Sequence, residues 1–128
     1  MSLLARNTPN DVYRRVELDA RIGGSDPRQL VTLCYEQLIG SLGTALHADE
    51  RGDNNKKSEG LTRAMSSVTA LQLGVSGDAS IAGALRHLYE ATRKSLLDSV
   101  LNFDASAIRT IRQDYIDILR AMNGAQSH

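Results

Sequence analysis

The sequence predicts an all-α fold, an antiparallel up-and-down four-helix bundle with a short N-terminal helical or extended segment. Three observations predict it. Both prolines, Pro9 and Pro27, lie in the first quarter of the chain, so nothing after Pro27 forbids long helices. Valine and isoleucine are scattered rather than massed in short alternating runs, which argues against sheet. Four long stretches carry apolar residues at helical spacing, and connections of a few residues between them favour antiparallel neighbours. At 128 residues the chain is long enough for one core and short for two, so a single domain over 1–128 is expected.

The opening residues, 1–25, form the light part. Within them Asn10 to Ile22 places Val12, Tyr13, Val16, Ala20 and Ile22 in a weakly amphipathic pattern, and Gly23-Gly24-Ser25 breaks it. The first long helix is predicted over 26–51, with Asp26 as cap and Pro27 at the first helical position. It is too apolar for an ordinary surface helix. At roughly 100° per residue, Leu30, Val31, Leu33, Cys34, Tyr35, Leu38, Ile39, Leu42, Ala45 and Leu46 cover well over half of its circumference. Such a helix needs neighbours on more than one side.

The polar run GDNNKK turns the chain, with Asp53 or Asn54 available to cap a helix over 55–74. That helix is one-sided, with Leu61, Ala64, Met65, Val68, Leu71 and Val75 on one arc. Gly74 and Gly77 stop it, and Asp78 is placed to cap the third helix, 79–102. There Ile81, Ala84, Leu85, Leu88, Tyr89, Thr92, Leu96 and Val100 share a broad face, while Leu97 and Leu101 stray to its flank. Asp104 caps the last helix, 105–123, whose Ile108, Ile111, Tyr115, Ile118, Leu119 and Met122 make a narrow stripe ended by Gly124.

Charge excludes some partners. Fifteen basic residues balance fifteen acidic ones, which leaves no electrostatic case for nucleic acid or an anionic membrane surface. No segment approaches the roughly 18 uninterrupted apolar residues of a membrane span. The first residues lack the apolar core of a signal peptide, and the lone Cys34, on an apolar helix side, fits a buried thiol in a reducing compartment. A cytoplasmic location is the expectation.

Chemistry has few candidates. His47 with Glu50 and His87 with Glu90 share helix faces, as metal ligands of di-iron bundles do. Their order is reversed relative to that class, and both histidines fall on polar stripes, so solvated side chains are the expected reading. No serine sits in a nucleophile elbow, Cys34 has no nearby cation, and the glycine pairs form no phosphate loop. An enzyme is not expected, nor any metal or cofactor. Tyr35 and Tyr89 read as core tyrosines with hydroxyls at the surface, or as the lining of a groove that holds a peptide.

The spacing of these residues resembles that of the flagellin export chaperones, the FliS family, from about Tyr13 to Met122. The family's N-terminal tyrosine is matched by Tyr13, with Val16 behind it. A proline helix start followed by a Leu-Ile-x-x-Leu-Tyr-Asp run is matched by Asp26-Pro27, Leu30, Val31, Cys34, Tyr35 and Glu36. Ile81, Ala82, Leu85, Leu88 and Tyr89 match its third helix, and Leu119-Arg120 its last. Asp26 stands where serine is usual, Ala91 where a second tyrosine is common, Val100 where asparagine is common and Met122 where tryptophan is common.

The resemblance implies a cytosolic chaperone that binds the C-terminal region of flagellin, prevents its premature polymerisation and delivers it to the flagellar type III export apparatus. It implies an apolar groove, here assigned to Val31, Tyr35, Leu38, Ile39 and Leu42 with Leu85 and Tyr89, and a detachable N-terminal lid carrying Tyr13 and Val16. A monomer or weak homodimer follows. The alternative is a self-associating structural bundle, without a flagellin client, in which a second copy covers the first long helix.

Overall fold

The computed structural model describes residues 27–75, 77 and 80–126. The predicted N-terminal segment with Tyr13 and Val16, the Gly23-Gly24 break and the caps at Asp26 and Asp78 lie outside the described residues. The described chain is all-α: α1 is Pro27–Arg51, α2 Asn54–Gly74, α3 Ser80–Leu101 and α4 Ala105–Gln126.

Local chemistry sets these ends. Proline occupies the first position of α1, where its missing N–H costs nothing. Gly52 turns the chain between α1 and α2 at φ +72°, a conformation that a side chain opposes. Asp53 then caps α2, its Oδ1 accepting the Lys56 N–H at 3.1 Å. Asp104 caps α4 in the same way, accepting the Ala107 N–H at 3.1 Å. One predicted stop fails: α4 runs through Gly124 to Gln126. Nothing lies near Gly124, so the helix passes it with only the usual loss of propensity.

The helices pack in a ring, α1 against α2 and α4, and α2 against α3, while α3 and α4 touch only slightly. Cross-contacts fix the directions. Asp49 meets Lys57, and Tyr35 shares a wall with Leu71, so α1 and α2 run antiparallel. Along α1 and α4, Gly43 faces Arg112 and Tyr35 faces Tyr115, again antiparallel. The predicted up-and-down bundle is the observed one.

The excess apolar surface of α1 is largely absorbed by its two neighbours. Leu30, Cys34, Tyr35, Leu38, Ser41, Leu42, Ala45 and Ala48 are buried, whereas Val31 and Leu33 remain exposed. Toward α2 the packing is close, because Gly60 lies directly against the α1 backbone. A Cβ at that position would sit 2.8 Å from the Ser41 carbonyl oxygen and 2.9 Å from the Ala45 nitrogen. Toward α4, the Arg112 Nε donates to the Ile39 carbonyl at 3.0 Å, across the place where a larger residue than Gly43 would stand.

The face of α3 differs from the predicted one. Its buried residues are Ala82, Tyr89, Thr92, Leu96 and Ser99, with Leu85 partly buried among them. Ile81, Ala84 and Val100, expected on that face, are exposed. Ala82 and Ser99, next to Ile81 and Val100 in sequence, are buried, and Ile81 borders the open groove, so helical periodicity alone places too many residues inside.

Candidate functional apolar groove

A groove of about 450 Å³ opens at one end of the bundle. Topology brings the residues there. In an up-and-down bundle the start of α1, the end of α2, the start of α3 and the end of α4 converge. The groove is lined by Val31, Cys34 and Tyr35 from α1, and by Leu71, Gly74 and Val75 at the end of α2. Ile81, Ala82, Leu85 and Tyr89 from α3, with Ile118 and Met122 from α4, complete it. Among the described residues, no charged side chain lines it. Val31 is 36% exposed and Ile81 65% exposed, so its rim is accessible apolar surface.

Tyr35 and Tyr89 form its floor, and Tyr115, outside the lining, packs behind them. The Tyr35 and Tyr115 rings lie 5.3 Å apart, Tyr89 stacks on Tyr115 at 6.4 Å, and Tyr35 meets Tyr89 edge-on at 6.4 Å. These contacts tie α3 to both α1 and α4, where the helix backbones themselves meet little. The hydroxyls are buried, not at the surface: Tyr35 and Tyr89 bond each other at 2.9 Å. Thr92 lies 2.7 Å from the Tyr115 hydroxyl and donates its own proton to the Leu88 carbonyl at 2.9 Å. A threonine has one hydroxyl proton, so Tyr115 is the donor to Thr92.

Burial pushes all three phenols above the ordinary tyrosine value, an effect reinforced at Tyr35 by its bond to Tyr89. Burial likewise raises the Cys34 thiol, which is a poor nucleophile for that reason. The floor therefore offers ring faces and edges rather than free polar groups. Such a surface accepts apolar side chains and penalises a buried charge.

The residues assigned to the groove from sequence separate into two groups. Val31, Tyr35, Leu85 and Tyr89 do line it. Leu38 and Leu42 do not: both are fully buried in the core, one and two turns beyond Tyr35, where a partner on the surface cannot reach them. Ile39 is partly buried against the core and is not in the lining. Sequence reasoning missed Val75, Ile118 and Met122 as lining residues, although their place at the ends of α2 and α4 was implied by an up-and-down topology. His47 and His87 are exposed. Among the described residues, no group of three or more His, Cys, Asp or Glu is placed to hold a metal, and no helix is long and apolar enough to cross a membrane.

A comparison with curated proteins finds no match. A family model described as "Flagellar protein FliS" matches residues 9–125, nearly the whole chain. The match spans all four helices and the groove, as well as residues before α1. The tyrosine-floored bundle therefore belongs to the FliS family of flagellar export chaperones.

Proposed function

We propose that this chain binds the C-terminal region of flagellin in the apolar groove, keeps it from premature polymerisation and delivers it to the flagellar type III export apparatus in the cytoplasm. The observation that carries this reading is the groove itself, an accessible cleft of about 450 Å³ whose described lining residues are all uncharged. Its volume lies within the range of about 300 to 1,000 Å³ usual for ligand pockets. Flagellin termini pair as amphipathic helices in the filament. A chaperone that offers a substitute apolar surface satisfies the same face of the client helix before assembly.

In this reading Val31, Ile81, Leu85 and Met122 make the direct contacts, and Tyr35 and Tyr89 shape the floor. Leu38, Ile39 and Leu42 support α1 from behind. The N-terminal residues, with Tyr13 and Val16, cover the groove until the client displaces them.

Isothermal titration with a cognate flagellin C-terminal peptide tests the proposal. Saturable one-to-one binding is expected, with a negative heat-capacity change from apolar burial. A peptide that gives no binding by this or any second method sinks the proposal. A chaperone of this kind also binds as a monomer or weak dimer, so sedimentation should show the peptide adding to the protein without a tight dimer persisting at low concentration.

A further inference from the structure

We infer that a second, polar cavity at the α1–α2 turn is a binding site for an acidic segment of a protein partner. The cavity has a volume of about 330 Å³ and is lined by Gly43, Thr44, His47, Ala48, Arg51, Asp53 and Lys56. It shares no residue with the apolar groove. His47 lies twelve residues beyond Tyr35 on α1, about 18 Å along the helix at 1.5 Å per residue.

The charges around the cavity are unevenly committed. Among the described residues Asp53 is the only acid in its lining, and its carboxylate accepts the Lys56 N–H as the cap of α2. Asp49, one turn before Asp53, is engaged by Lys57 at 3.0 Å. By contrast, the side chains of Arg51 and Lys56 have no hydrogen-bond or ion-pair partner among the described residues. Two exposed cations therefore outnumber the one carboxylate among the described lining residues, which keeps its charge but is turned to the α2 backbone as its cap.

The neighbouring elements shape the same site. Gly52, at φ +72°, makes the turn that brings the last residue of α1 and the first turn of α2 to one cavity. Gly43 leaves its wall without a side chain, and behind it lies the Arg112 guanidinium, with Nη2 3.5 Å from where a Cβ would stand. The Arg112 Nε is held by the Ile39 carbonyl, which fixes the plane of the group. Thr44 donates to the Gly40 carbonyl at 3.2 Å, so its proton is not offered to a ligand. Arginine and lysine donors pair with carboxylates, and a cavity of about 330 Å³ is larger than one small anion fills, which leaves room for neighbouring acidic side chains of a peptide.

The test is an NMR titration of the full chain with a blocked tri-aspartate peptide, a tri-asparagine peptide and inorganic phosphate. Tri-aspartate is expected to shift the amides of Gly43, Thr44, Gly52 and Lys56 saturably, leaving those of Ile81 and Leu85 unmoved. Affinity should fall about tenfold in the double variant R51Q/K56Q, since each exposed ion pair contributes little alone. Both substitutions lie on exposed side chains, and unshifted groove amides report an intact fold. The inference is overturned by an equal response to tri-asparagine, by unchanged affinity in the double variant, by no saturation, or by phosphate saturating the site when the peptide does not. Any of these outcomes leaves the flagellin reading of the apolar groove untouched.

Discussion

Tyr115 donates its only hydroxyl proton to Thr92, and this gives the layer behind the groove floor a measurable weak point. Tyr115→Phe keeps the ring contacts but leaves the buried Thr92 oxygen without that donor. A loss of about 1 to 2 kcal/mol is expected, read as a lower urea midpoint at unchanged slope. The same tyrosines set a pH limit. Their phenols titrate above the ordinary 10.0 in the folded protein, with burial as the first cause. Their contribution to stability is therefore fully present below about pH 10 and declines as the pH rises above it, because the unfolded chain loses those protons first. In an alkaline titration, tyrosinate absorbance from these three residues should appear together with the loss of helical circular dichroism. Phenolates appearing in a bundle that stays helical would contradict the buried, bonded floor. From sequence, Tyr35 and Tyr89 were legible as apolar-face residues. Their mutual bond was not, since it joins positions 54 apart on different helices. Leu38 and Leu42 show the same limit from the other side: periodicity places them on the apolar face of α1, but only the neighbours decide core against groove.

The elements themselves were largely legible because their ends are encoded locally. Pro27, Asp53 and Asp104 sit where predicted, and each acts through its own backbone surroundings. What periodicity did not reveal is where the buried arc of a helix ends, as the exposed Ile81 and Val100 beside the buried Ala82 and Ser99 on α3 demonstrate. Nor did it single out Gly60, which reads as an ordinary helix residue until α1 is placed against it. Helix propensity alone predicts that Gly60→Ala stabilises α2, by up to about 1 kcal/mol. The α1 backbone 2.8 Å from the new Cβ reverses the sign, since neither helix can yield without repacking the seam. We expect a net destabilisation of about 1 to 3 kcal/mol. Gly40→Ala is the control: its Cβ meets nothing within 4 Å, so it should be stabilising by several tenths of a kcal/mol. Thermal unfolding of the two variants side by side decides the matter, and matching signs would show that the seam is looser than described.

At the scale of the whole molecule, the groove is a consequence of topology. Four helix ends meet at one end of the bundle, and the slight α3–α4 contact leaves room between them. The apolar excess of α1 announced that something must cover it. The place was not legible, because the walls come from four separated stretches of sequence. This geometry also changes which substitutions are informative. Leu38→Asp or Leu42→Asp buries a charge in the core and is expected to unfold the bundle rather than to weaken binding selectively. Leu85, partly buried in the groove wall, and Leu101, 91% exposed on α3 and outside the lining, form the better pair. The most direct test is isothermal titration of the flagellin C-terminal peptide into wild type, Leu85→Asp and Leu101→Asp, each first shown to be folded by circular dichroism. The groove account predicts at least about a tenfold loss of affinity for Leu85→Asp, from the cost of desolvating a charge against the client, and wild-type affinity for Leu101→Asp. Wild-type affinity in a folded Leu85→Asp, or a loss confined to Leu101→Asp, would contradict it.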